Sequence, residues 1–177
     1  MERIEEFIEI NAPPPAVFAI VSDLCRRARL NPNWTIVSCE PLDGGMRAGA
    51  RYRFVSLRGG TRTEHMSRVA VYEPPSRLVL HSEIHRGLEI ELTVHATPMG
   101  SRLTHAESFE HLPSQLKPTD EPRSFLTILR TWLMFEQEGF AETSAEEVRT
   151  AMQAQIRGEI QFWLVSIKRE SERDVGA

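Results

Sequence analysis

The feature that most constrains the fold of this chain is a run of short segments between Thr35 and His111, each bounded by turn residues. The segments are rich in β-branched and aromatic residues, which is typical of strands. Because short connections join antiparallel neighbours, the pattern predicts an antiparallel meander. The predicted strands span roughly 35–42, 50–57, 62–73, 77–86, 88–97 and 102–111.

Helical signals lie on both sides of the meander. A first strand, Ile4 to Ile10, is followed by a proline run, and proline suits the first turn of a helix. We therefore predict one short helix from near Pro14 to Asp23 and a second from Leu24 to Leu30. Beyond the meander, an insertion over 112–143 contains an apolar helix at about 124–137, and a long helix spans 144–172. Along this long helix runs one apolar stripe, formed by Val148, Met152, Ile156, Ile160, Trp163 and Ile167.

The composition predicts a single globular domain over 1–177. Hydrophobic residues make up 41%, charged residues 26%, and the net charge is −4. The arginines are dispersed apart from a small cluster at Arg26, Arg27 and Arg29, so we expect no nucleic-acid partner. No segment reaches the length of a membrane span.

The two cysteines, Cys25 and Cys39, and the start of the sequence bear on location. The opening MERIEEFIEI is charged and alternating, unlike a secretory signal. The sequence therefore predicts a reduced, cytoplasmic protein with two idle thiols. A disulfide between them stays open.

The order of elements resembles the START-like polyketide cyclase/dehydrase (SRPBCC) superfamily. The resemblance rests on IEINAPPPAVFAIVSDL, the following NPNW, the turn GGMRAGARYRF and the turn YEPPSRLVL. It covers about 1–111 and 144–172, and 112–143 is longer than this connection usually is in the family. The resemblance implies an α+β helix-grip fold: a curved seven-stranded antiparallel sheet around the long C-terminal helix, with an apolar cavity between them.

The strand 102–111 has an unusual inner face. Side chains alternate with period two, so His105 and Glu107 share a face with apolar neighbours. Matching apolar residues across the last two hairpins pairs Leu80 with Val94 and Val94 with His105, which keeps this face inside. A packed core excludes a histidine and a carboxylate, whereas a cavity admits them.

The candidate cavity-lining residues combine this face with the resemblance and the helical stripe. The resemblance places three aromatic residues at the cavity or its mouth, and the stripe adds three residues of the long helix. The predicted set is Trp34, Tyr52, Phe54, His105, Glu107, Met152, Ile156 and Trp163. We identify no catalytic residue with assurance and predict no cofactor.

We predict no metal site either. The outer face carries several histidines and glutamates, but His81 and His85 lie about 13 Å apart along one strand. Zinc ligands must all lie about 2 Å from the ion. No phosphate-binding loop, nucleophile motif or dinucleotide fingerprint is present.

Three functions fit these features. The first is binding of a hydrophobic small molecule, lipid-like or polyketide-like, oriented by His105 and Glu107. The second is a polyketide aromatase/cyclase-like enzyme in which those residues, with Arg68 or Tyr52, act as acid and base; the alternation leaves the orientation of Arg68 open. The third is a protein-interaction module like the chaperone activators that share the fold. In this third reading the helix 124–137 is the contact surface; otherwise it is a lid, a homodimer contact or simply core.

Overall fold

The computed structural model of the chain describes residues 2–58, 60–83, 87–109 and 145–176. Within these ranges the chain forms seven strands and three helices. In chain order they are β1 (Glu2–Ile10), α1 (Pro14–Ser22), α2 (Leu24–Arg29), β2 (Thr35–Pro41), β3 (Arg51–Arg58), β4 (Thr61–Glu73), β5 (Arg77–Ser82), β6 (Glu89–Thr97), β7 (Gly100–Phe109) and α3 (Ala145–Gly176). The predicted insertion 112–143, with its apolar helix 124–137, lies outside the described residues.

The strands form one antiparallel sheet in the order β1-β7-β6-β5-β4-β3-β2. Every strand from β2 to β7 pairs with its neighbour in sequence, and β1 joins the sheet beside β7. Helix α3 packs against β1, β7 and α1. This is the predicted α+β helix-grip fold, with a seven-stranded sheet and a long C-terminal helix.

The two short helices form for local reasons. Helix α1 has proline at its first positions and buries its apolar side, including Val17 and Phe18. Asp23 caps the start of α2, where its side chain accepts a hydrogen bond from the Arg26 backbone N–H at 2.9 Å. These helices cover one end of the core below α3.

The core lies between the inner face of the sheet and α3. The predicted stripe of α3 points inward: Ile160 and Ile167 are buried, and Leu164 joins them. Charged pairs hold the helix against the edge strand, among them Arg157 Nη1 to Glu6 Oε1 at 2.7 Å. Gln161 of α3 also bonds the same carboxylate. None of the described helices is long and apolar enough to cross a membrane.

The predicted hairpin registers are wrong, although the predicted faces are right. Val94 pairs with Leu103 rather than His105, because the turn consists of Pro98 and Met99 alone and Thr97 pairs with Gly100. Leu80 pairs with Ile90 rather than Val94. The strand β5 ends at Ser82, earlier than predicted, and the connection is longer. Both shifts are by an even number of residues, so His105 and Glu107 still face inward.

The expectation of two idle thiols is wrong. Cys25 of α2 and Cys39 of β2 form a disulfide, with their Cα atoms 5.4 Å apart. The bond fastens α2 to the edge of the sheet. The segment it closes carries Arg27 and Trp34, both of which belong to the inner surface described below.

We expect the double substitution Cys25→Ser, Cys39→Ser to lower the free energy of unfolding by about 3 kcal/mol. The bond joins residues separated by 14 positions, and closing a loop of about that length removes this much chain entropy from the unfolded state. Urea unfolding of the oxidised and reduced wild type and of the double variant tests this. The reduced wild type should match the variant; equal stability of all three would contradict the prediction.

Candidate functional site

His105 and Glu107 lie side by side on the inner face of β7. Leu92 pairs with His105 in the sheet, and Ile4 and Ile90 flank Glu107. His105 is 1% exposed, whereas the Glu107 side chain retains 19% exposure. Their side chains meet, with His105 Nε2 lying 3.2 Å from Glu107 Oε1. The pair is thus a polar element set into an apolar wall.

Trp163 of α3 and Arg27 of α2 complete the surroundings of this pair. The indole ring of Trp163 meets the His105 ring at 5.4 Å between centroids, edge to face. The Arg27 guanidinium carbon lies 5.1 Å from the centre of the same indole. The indole N–H donates a hydrogen bond to the Arg27 carbonyl at 2.9 Å. We call Arg27, His105, Glu107 and Trp163 the buried polar cluster.

The cluster retains unused hydrogen-bonding capacity. Arg27 is 4% exposed, and burial lowers its pKa to about 10, with the nearby Glu107 carboxylate opposing the shift. The group is therefore still a cation at neutral pH. Arg27 Nε and Nη1 and His105 Nδ1 are buried and have no hydrogen-bond partner among the described residues. Such atoms are rare, because more than nine in ten buried polar groups are paired.

Sequence reasoning missed Arg27. In the sequence it stands only as part of a small basic cluster with Arg26 and Arg29. A signal was present: Leu24, Arg27 and Ala28 share one face of α2 at helical spacing, and all three are buried. An arginine in line with apolar residues at positions i, i+3 and i+4 points toward the core.

The predicted aromatic residues form a second group on the same inner face. The rings of Phe54 and His65 stack at 5.1 Å, and Trp34 meets His65 edge to face at 6.1 Å. Tyr52 lies 6.4 Å from Phe54. Sequence reasoning missed His65. Phe54 was predicted as a lining residue, but the register of β3 and β4, which places His65 opposite Phe54, was not predicted.

The structure thus divides the predicted site residues. It brings His105, Glu107 and Trp163 together on β7 and α3. It places the aromatic group farther along the sheet, with Tyr52 and Phe54 on β3, His65 on β4 and Trp34 just before β2. The loop before β2 bridges the distance to α3, since Asn33 Nδ2 donates to the Glu159 carbonyl at 3.1 Å. Two remaining predicted residues, Met152 and Ile156, continue the inner stripe of α3.

A groove of about 540 Å³ lies at the end of the sheet beside α1. Tyr52 contributes to it together with Phe18, Met46 and Tyr72. Burial raises the pKa of the Tyr52 hydroxyl. The lining includes none of the buried atoms without a partner, so we place the stronger candidate site at the buried polar cluster.

Other chemistry has less support. Arg68 is exposed, so it faces away from the cluster. His81 Nε2 lies 3.0 Å from Glu89 Oε2 on the outer face. No group of three or more metal-ligating side chains occurs in the described part of the chain. His85 lies outside the described residues. The best-supported chemistry is that of the buried polar cluster, which can orient a polar group or move a proton through His105 and Glu107.

Solved structures with the same fold include two proteins described as an aromatase/cyclase and a di-domain ARO/CYC. Zhui aromatase/cyclase from Streptomyces sp. R1128 is 15% identical with a TM-score of 0.63, covering 98% of this chain and 95% of its own. The di-domain ARO/CYC StfQ from the steffimycin biosynthetic pathway is 12% identical with a TM-score of 0.68, covering 99% of this chain and 52% of its own.

A third neighbour is the Polyketide_cyc-like protein Cgl2372 from Corynebacterium glutamicum, 24% identical with a TM-score of 0.58. The match covers 98% of this chain and 93% of that protein. At these identities the likeness shows the fold alone.

The family follows from the sequence model. No curated protein sequence matches the chain significantly. The model described as "Polyketide cyclase / dehydrase and lipid transport" matches residues 1–172, nearly the whole length. This confirms the resemblance drawn from the sequence motifs. The chain belongs to the polyketide cyclase/dehydrase and lipid transport family.

Proposed function

We propose that the protein binds a hydrophobic small molecule, lipid-like or polyketide-like, between the inner face of the sheet and α3. The observation that carries the proposal is the buried polar cluster, in which three buried polar atoms have no partner in the described part of the chain and lie in an apolar wall. Apolar neighbours supply affinity at about 25 cal/mol per Å² of buried surface. The few polar groups fix the orientation of the ligand.

Family membership supports the same reading. The family description combines polyketide cyclase/dehydrase activity with lipid transport, and an apolar small-molecule ligand agrees with both. The eight predicted lining residues, namely Trp34, Tyr52, Phe54, His105, Glu107, Met152, Ile156 and Trp163, are all part of this proposal.

The test is uptake of the neutral apolar fluorophore N-phenyl-1-naphthylamine. We expect saturable binding near one molecule per chain, about tenfold weaker in Trp163→Ala, which removes the ring that contacts both Arg27 and His105. Phe162→Ala is the matched control, because Phe162 neighbours Trp163 on α3 yet is 65% exposed. A wild type that takes up no fluorophore would contradict the proposal, as would equal losses in both variants.

A second candidate is an aromatase/cyclase-like enzyme, and the contact between His105 and Glu107 favours it. A histidine hydrogen-bonded to a carboxylate is a common acid/base arrangement, and two structural neighbours carry the name aromatase/cyclase. For catalysis we expect His105→Ala and Glu107→Gln to abolish turnover of a poly-β-ketone thioester while fluorophore binding persists. Turnover that survives both substitutions would remove this candidate.

Partner and location complete the proposal. A homodimer or another protein partner at helix 124–137 remains a prediction; loss of the association in Trp132→Glu, measured by light scattering, tests it.

We also propose a cytoplasmic location, which the Cys25–Cys39 bond opposes because such bonds are rare in reducing compartments. Thiol trapping in intact cells decides: two free thiols agree with the cytoplasm, and a persistent disulfide contradicts it.

A further inference from the structure

We propose that the ligand is an apolar acid, and that its carboxylate binds the Arg27 guanidinium within the buried polar cluster. This inference rests on the proposed function and adds the chemical class of the ligand. It starts from Arg27, an arginine 4% exposed in an otherwise apolar core, two of whose nitrogens have no hydrogen-bond partner in the described ranges.

Arg27 needs a counter-charge that the described residues do not fully supply. Transferring a cation from water to the core has a high free-energy cost unless an anion pairs with it. Arg27 makes no ion pair within 4.0 Å among the described residues, in contrast to its neighbour Arg26, which pairs with Glu170 at 2.7 Å. Glu107 is near enough to act on Arg27 through its field, but its oxygen Oε1 contacts His105.

Arg27 is also held in place. Its guanidinium lies over the indole of Trp163, and its own carbonyl accepts the indole N–H at 2.9 Å. The disulfide at Cys25 fastens α2 to the sheet two residues before it. A guanidinium fixed by such contacts loses little freedom when it binds an oxyanion. A purely structural arginine would instead use its donors on the protein.

The class of group follows from the donors. Nε–H and Nη1–H both require acceptors, and a carboxylate is the acceptor that guanidinium binds most strongly. A neutral hydroxyl offers acceptor atoms but no charge, so it compensates the buried cation poorly. His105 Nδ1, which also has no partner among the described residues, belongs to the same cluster, since the Trp163 indole contacts both His105 and Arg27. The rest of the molecule must be apolar, because Leu92, Leu103 and Leu164 are fully buried around the cluster.

The experiment compares acids with alcohols of matched shape by displacement of N-phenyl-1-naphthylamine. The probes are dodecanoate with 1-dodecanol and 2-naphthoate with 2-naphthalenemethanol, so the two pairs distinguish a lipid-like from an aromatic source. A charged hydrogen bond corresponds to about tenfold or more in affinity. We expect the wild type to prefer the acid by this factor in the pair whose apolar part it accepts.

Arg27→Met should abolish the preference for acids, lowering the affinity for the acids much more than that for the alcohols. Arg29→Met is the matched control, because Arg29 is an exposed arginine on the same helix, and it should keep the preference. Arg27→Lys keeps the positive charge and should retain part of the preference for acids. Circular dichroism checks folding; we expect Arg27→Met to fold, since an apolar residue of similar volume usually replaces a buried charge without loss.

The outcomes separate this inference from the proposed function. If the wild type binds alcohols as tightly as acids, or Arg27→Met keeps the preference, the acid is refuted and the apolar ligand stands. If Arg27→Met does not fold, the wild-type pairs and Arg27→Lys decide by the same criterion. If the wild type binds neither the fluorophore nor any of the four compounds, both proposals fall together.

Discussion

Gly100→Ala is expected to lower the free energy of unfolding by about 3–5 kcal/mol, one of the two largest effects that the structure predicts. Gly100 begins β7 with φ of +138°, a conformation that residues with a side chain rarely adopt. A Cβ atom there would lie 2.3 Å from the Ile10 carbonyl oxygen and 2.8 Å from the Ala12 nitrogen. Both are backbone atoms, so they cannot move aside in the way that a flexible side chain could.

Urea unfolding of the variant measures this loss, and Gly158→Ala is the matched control. Gly158 lies in the middle of α3, and a Cβ atom there would meet nothing within 4 Å. This control should gain about 0.5–1 kcal/mol, because alanine favours the helix over glycine. A loss below about 1 kcal/mol in Gly100→Ala would contradict the packing described for this turn.

A further loss of stability is expected from Glu107→Gln. Glu107 is the carboxylate whose field opposes the cost of burying the Arg27 cation, and it also contacts His105 at 3.2 Å. Its neutralisation leaves that cation with less compensation. We expect a loss of about 1–3 kcal/mol in the free energy of unfolding.

A double-mutant cycle with Arg27→Met isolates the cause. In the Arg27→Met background the cation is gone, so Glu107→Gln should have a much smaller effect, with a coupling of about 1 kcal/mol or more. Glu9→Gln serves as the control, since Glu9 forms an exposed pair with Arg102 and should change stability by no more than about 0.5 kcal/mol. Additive effects of the two cluster substitutions would show that Arg27 and Glu107 are independent.

The sequence predicted the elements, the meander and the faces of the fold, but not the registers between neighbouring strands. Alternation within β7 is a local property, so the inward direction of His105 could be read directly. The register depends on the turn, and Gly100 looked like a turn residue although it is the first residue of the strand. The glycine is needed because the backbone of Ile10 approaches it closely, a contact between segments far apart in sequence.

The candidate site was predictable in part, because alternation along a strand and periodicity along a helix are local properties. His105, Glu107 and Trp163 lie on strongly periodic elements. Arg27 was not predicted, because its direction depends on how a helix of six residues packs. The disulfide was left open, because the distance between Cys25 and Cys39 depends on where α2 lies relative to β2.

The most direct test of the central claim, a bound apolar molecule, is mass spectrometry of the purified protein, first native and then denatured. We predict a discrete organic molecule that adds to the mass of the native chain and is released on denaturation; the further inference adds that it carries a carboxyl group. A native mass equal to that of the bare chain, in a protein that also takes up no apolar fluorophore, would contradict the account.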